Sequence, residues 1–95
     1  MTCRVTLANS VLDFIEEHVY SERVLKRIET YVELLEDYPY LGAVYAPDSP
    51  AARPPAPCRH IPDTPFTLYY AVDVEREEVE IFYIDFSAAD PRGRF

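Results

Sequence analysis

With 95 residues and a formal charge of −8, the chain has the length of one domain, whose fold buries only roughly 60–65% of the surface that the unfolded chain exposes. Nine Lys and Arg against seventeen Asp and Glu, with Lys26 the single lysine, argue against a protein that coats nucleic acid, because neutralising phosphates takes clustered cations. Two cysteines, Cys3 and Cys58, make no disulfide framework, no run approaches the roughly 18 apolar residues of a membrane span, and no apolar leader follows Met1, so a cytoplasmic setting is the expectation.

Taken in chain order, Arg4-Val5-Thr6-Leu7 alternates as a short edge strand does. Ser10-Val11-Leu12-Asp13 has the form of a capping box, and Val11, Leu12, Phe14, Ile15 and Val19 then recur at helical spacing. Ser21 is placed to cap a second helix, whose apolar set is Val24, Leu25, Ile28, Tyr31, Val32 and Leu35 and whose last residues are Asp37 and Tyr38, before Pro39 and Gly42. The short connection makes the pair a helical hairpin. Residues 43–57 carry Pro47, Pro50, Pro54, Pro55 and Pro57 with no usable periodicity, and are expected to form an extended, semi-rigid loop.

Cys58-Arg59-His60-Ile61 is a short strand stopped by Pro62, and Asp63-Thr64-Pro65 turns into the hairpin that organises the chain. Phe66–Asp73 and Val79–Phe86 are rich in β-branched and aromatic residues and flank the charged turn Val74–Glu78. Phe66, Leu68, Tyr70 and Val72 share one face of the first strand. In the second, either Val79, Ile81 and Tyr83 or Phe82, Ile84 and Phe86 do so. The expected fold is α+β: a small antiparallel-centred sheet of about four strands with an N-terminal helical hairpin packed on one face, in the order β-αα-βββ, as a single domain over 1–95.

Cys3, His18, Cys58 and His60 lack the grouping that makes a metal site, so neither metal nor other cofactor is expected. Cleavage of a phosphodiester through the 2′-hydroxyl needs a base, an acid and cations for the phosphorane. Arg59 is a source of charge, His60 or Asp90 of a base, and Tyr70 or Tyr83 of a proton, although their spacing does not select this chemistry over ordinary sheet tyrosines. Glu16, Glu17, Glu29, Glu33 and Glu36 form a solvated helix face.

The order of these segments resembles the RelE/ParE superfamily of bacterial toxins from type II toxin–antitoxin modules. It is carried by the helical hairpin ending in Tyr38-Pro39-Tyr40-Leu41-Gly42, by the arginine strand at Arg59, by Thr64-Pro65-Phe66-Thr67-Leu68-Tyr69-Tyr70-Ala71-Val72-Asp73, and by the last strand with Ala89-Asp90-Pro91-Arg92. The second of the long stretches is similar to the ParE side. The resemblance implies the toxin of a plasmid-stabilisation (addiction) module, which inhibits growth by binding a target such as DNA gyrase and is neutralised by a cognate antitoxin. A homodimer through the helices is compatible with it. Arg59, Tyr69, Tyr83, Asp90, Arg92 and Arg94 are then the residues for binding target or antitoxin, and Arg59, Tyr70 and Arg92 the candidates for any catalysis. In the ribosome-dependent, mRNA-cleaving branch, basic residues are expected at the positions of Thr67, Phe86 and Ala89. This chain has none there, which leaves a weakened mRNA interferase or an inactive relic that binds only antitoxin as the alternatives.

Overall fold

The structure, a computed structural model, describes residues 2–47, 50–54 and 56–89. The chain runs through β1 (Arg4–Leu7), α1 (Asn9–His18), α2 (Glu22–Asp37), β2 (Ala43–Val44), a 3₁₀ turn (Pro50–Ala52), β3 (Arg59–Ile61), β4 (Phe66–Asp73) and β5 (Glu78–Phe86). Ser21 caps α2 as its position predicts, its Oγ accepting the Val24 N–H at 3.4 Å. The start of α1 differs from the capping-box reading. The helix begins one residue before Ser10, because the Ala8 N–H is drawn into the sheet by the Ile81 carbonyl at 3.0 Å while the Ala8 carbonyl accepts from Val11 and Leu12. No side chain caps it.

The five strands lie in the order β1-β5-β4-β3-β2. The expected sheet of about four antiparallel-centred strands is corrected in two places. The antiparallel centre β5-β4-β3 is present, but β1 runs parallel to β5, to which it is joined through the helical hairpin and the three other strands, a longer connection than parallel pairing needs. A fifth strand, β2, pairs Ala43 with His60 and Val44 with Arg59 inside the segment expected to be loop. Two residues are too few to show a period.

A register shift between Tyr69 and Tyr70 settles which residues of β5 face the core. Tyr70 pairs with Ile81 and Leu68 with Ile84, so the core face passes from Val79 and Ile81 to Ile84 and Phe86 across the bulge. Each alternative set supplies two of its three residues to this face. On this face the sheet packs against Val11, Ile28 and Leu35 of the helices, with Cys3, Ile61, Phe66, Leu68 and Tyr70 in the same core. The β4–β5 turn holds Glu77 at a φ of 54°, a left-handed conformation that Gly adopts more readily. Among the described residues no helix is long and apolar enough to cross a membrane.

Candidate functional site

The face of the sheet turned away from the helices carries a continuous row of rings. Tyr69 of β4 lies opposite Tyr83 of β5 in register, with ring centroids 5.7 Å apart. On its other side the His60 ring of β3 stacks at 6.1 Å and 18°. Tyr45, just beyond β2, stands edge-on to both, 5.1 Å from Tyr69 and 5.2 Å from His60. Period two explains the alignment: Ala43, His60, Tyr69 and Tyr83 are register neighbours, and Tyr45 is two positions after Ala43. Tyr69 is only 2% exposed, although it is on the side with no helices.

Part of that cover comes from the proline-rich segment. The Tyr45 N–H donates to the Cys58 carbonyl at 3.0 Å, and the Tyr45 hydroxyl donates to the carbonyl of Ala52, itself buried, at 3.2 Å. The hydroxyl thus ties the 3₁₀ turn to the ring row. Tyr45 also shares an open cleft of about 390 Å³ with Arg53, Pro47, Pro54 and Pro57.

Arg59 and Tyr70 are brought together, but on the helix side of the sheet. They are register partners on β3 and β4. The Arg59 Nη1 donates to the Gly42 carbonyl at 2.7 Å, its guanidinium lies 4.9 Å from the centroid of the Tyr40 ring, and the Gly42 N–H donates to the Tyr70 hydroxyl at 2.8 Å. Both polar groups of Gly42 are therefore held by side chains. A Cβ at this position would come within 2.5 Å of the His60 carbonyl oxygen and 3.0 Å of Tyr70 Cε1, so the turn after α2 admits only glycine without a shift of the backbone. Burial pushes the Tyr70 phenol up, against the opposing pull of the Gly42 N–H and the Arg59 charge. It is fully buried, which places it as a fastening for the turn and away from solvent.

A second polar group closes the other end of β4. Arg27 Nε lies 3.2 Å from Asp63 Oδ2, at ion-pair distance but off the direction of a hydrogen bond, while its Nη2 donates to the Thr64 carbonyl. The Tyr31 hydroxyl donates to the same Asp63 oxygen at 3.0 Å. Burial first, and then Asp63, push the Tyr31 phenol up. Ser87 Oγ donates to the Asp63 carbonyl and lies 2.8 Å from Thr67 Oγ1.

The three positions where the mRNA-cleaving branch implies cations are thus neutral and engaged. Thr67 is buried in that hydroxyl pair, Phe86 packs with Phe14, His18 and Phe66, and the Ala89 N–H closes a turn onto the Phe86 carbonyl. Asp90, Arg92 and Arg94 lie outside the described residues. Tyr45 is the member of the row that spacing did not point to, since it lies in the segment without a period, and His60 entered only as a general base and among the residues weighed for a metal site. Among the described residues no group of His, Cys, Asp and Glu is gathered as a metal site would need. The ring row sets phenol hydroxyls and one imidazole, whose Nδ1 lies 3.2 Å from the Ala43 carbonyl, around a Tyr69 that is itself buried.

Neither a family model nor a curated protein sequence matches the chain. Among solved structures, the RelE toxin of the archaeal RelE–RelB complex from Pyrococcus horikoshii OT3 superposes with a TM-score of 0.72, covering 95% of this chain and 100% of that one at 14% identity. The chain has the fold of RelE. At that identity the likeness is one of backbone architecture.

Proposed function

We propose that this chain is the toxin of a toxin–antitoxin module, and that it arrests growth by binding its target and not by cleaving RNA. The observation that carries the reading is the RelE-type fold combined with neutral, engaged side chains at Thr67, Phe86 and Ala89. A phosphorane carries charge that must be met by preorganised cations or donors. Arg59, the nearest candidate by sequence, spends its guanidinium on the Gly42 carbonyl and the Tyr40 ring. The chain's net charge of −8 also opposes approach to ribosomal RNA. The ParE side of the sequence resemblance makes DNA gyrase the first target to test. The neutralising partner is an antitoxin, as RelB partners RelE in the structure that this chain resembles.

Growth after induced expression of the chain alone, and together with the adjacent open reading frame, tests the reading directly. The expected result is arrest that the neighbour relieves, with transcripts intact throughout and supercoiling by purified gyrase reduced. Cleaved transcripts in the arrested cells would overturn the binding mechanism. Absence of arrest by soluble, folded protein would leave only a relic that binds antitoxin.

A further inference from the structure

At one edge of the sheet β2 pairs with β3 and, among the described residues, with no other strand. The register of Ala43 with His60 continues into the hydrogen bond from the Tyr45 N–H to the Cys58 carbonyl, so Ala43–His60 and Tyr45–Cys58 are the bonded pairs of this ladder. Val44 stands between them, in the pair whose backbone groups turn away from β3. Its N–H and C=O therefore both point out of the sheet edge. No turn, loop or side-chain group among the described residues meets either of them. Val44 is 61% exposed, and Tyr38, Tyr40 and Leu41, just before it in the chain, are 45–60% exposed. An open edge is ordinarily guarded by charge, and the opposite edge strand, β1, carries Arg4 paired with Glu78. The run from Tyr38 to Pro47 has no charged residue and is the longest such run in the chain.

We propose that β2 joins β2 of a second copy of the chain, antiparallel about a two-fold axis at Val44, with the Val44 N–H of each copy donating to the Val44 carbonyl of the other. A residue that turns both backbone groups outward is its own complement about such an axis. Charge selects the same occupant. Each copy carries −8, so two copies meet best where neither brings a carboxylate, whereas a charged partner finds no countercharge on this run. The four exposed residues present roughly 450 Å², so the two-fold contact removes about 1,000 Å² from water, the size of a weak, concentration-dependent interface. Pairing Val44 with Val44 sets Tyr45 of one copy opposite Ala43 of the other, on the face away from the helices. The two ring rows then continue into one across the axis. The ladder ends quickly on either side, because Pro47 has no N–H and both polar groups of Gly42 are held by Tyr70 and Arg59. The contact uses each β2 edge once and closes as a dimer.

This proposal stands apart from the toxin reading, and its test reads association alone. In sedimentation equilibrium of the full chain from about 1 μM to 1 mM, the mass rises from 11.0 kDa towards twice that value. Added salt strengthens the association, since it screens two copies of like charge. Val44→Lys sets two ammonium groups across the axis and weakens the dimer about tenfold. Its thermal midpoint at low concentration stays that of the parent, because the side chain is already in solvent. Val44→Pro removes the outward N–H, which bonds nothing within the chain, and also gives a monomer. Leu12→Asp, on the exposed face of α1, leaves the association unchanged. The NMR signals of Leu41 and Val44 move with concentration while those of Leu12 stay in place. The proposal is overturned by a monomer at every concentration, by a dimer that survives both Val44 variants, by one that Leu12→Asp dissociates, or by masses that grow beyond two chains.

Discussion

The helix side of the central hairpin is buried by aliphatic and aromatic residues whose spacing repeats along each element. The other side is buried over the first part of β4 by rings, with a hydroxyl tie from Tyr45 to a segment with no repeat at all. Leu35 and Tyr70 on the first side and Tyr69 on the second are nearly equally buried, yet different forces bury them. Leu35 sits in a continuous apolar layer between helix and sheet. Tyr69 is enclosed by neighbouring strands' rings, themselves held by Tyr45 and the Ala52 carbonyl. The lesson is that burial by a periodic layer is written into the spacing of each element, whereas the burial of Tyr69 depends on contacts between residues that share no period.

Four substitutions test that contrast. Leu35→Ala has the largest expected effect, a loss of about 2–5 kcal/mol in urea unfolding, because it opens a cavity in the layer that both helices and sheet share. A smaller loss than that of Tyr45→Ala would break the comparison, since the ring row would then be the main core. Gly42→Ala is next. Its Cβ meets the His60 backbone, so the turn must shift at a cost of about 1–3 kcal/mol, read as a lower denaturation midpoint with an unchanged slope.

Tyr70→Phe removes the acceptor of the Gly42 N–H and costs about 1–2 kcal/mol near neutral pH. It also changes the alkaline limb. The Tyr70 pKa is raised in the folded chain, so its contribution to stability is complete below the ordinary phenol value of 10.0 and is lost as pH rises from there towards the folded value. The variant loses less stability above about pH 10 than the parent does, and Tyr31, raised in the same direction, keeps the remaining slope. Identical alkaline limbs in parent and variant would contradict the buried phenol. The smallest effect is expected from Tyr45→Phe, which keeps the ring and removes the tie to Ala52. Global stability falls by about 0.5–1.5 kcal/mol, while protease cleavage between 46 and 57 accelerates. Unchanged cleavage would mean that the segment is held by other contacts than the hydroxyl.

Much of the fold was open to inspection in the sequence because helices and strands write their periods into it. Ser21, the apolar set Val24 to Leu35 and the flanks of the β4–β5 turn all lie where spacing put them. Three features were not open. The parallel partner of β1 depends on where a crossover lands. The bulge at Tyr69 and Tyr70 moves the core face of β5 from one parity to the other, which either pattern alone conceals. The short strand Ala43–Val44 has no period to show. For the candidate site, Tyr69 and Tyr83 were singled out and stand together in the row, while Arg59 and Tyr70 were singled out with them and lie on the opposite face. The period of two already set Tyr70 on one face with Phe66, Leu68 and Val72 and so apart from Tyr69, but only the strand order shows which of the two faces the helices cover.

The sequence by itself determined the two amphipathic helices, the central aromatic hairpin, the acidic surface and the absence of cations at Thr67, Phe86 and Ala89. Each is a local property of residue type and spacing. Only the tertiary structure decided that Tyr45 and His60 join the ring row, that Arg59 and Tyr70 fasten Gly42, and that β2 ends the sheet with Val44 exposed. These depend on which strands become neighbours and which face each side chain takes. Contacts between residues far apart in the chain set both, and no local pattern records them.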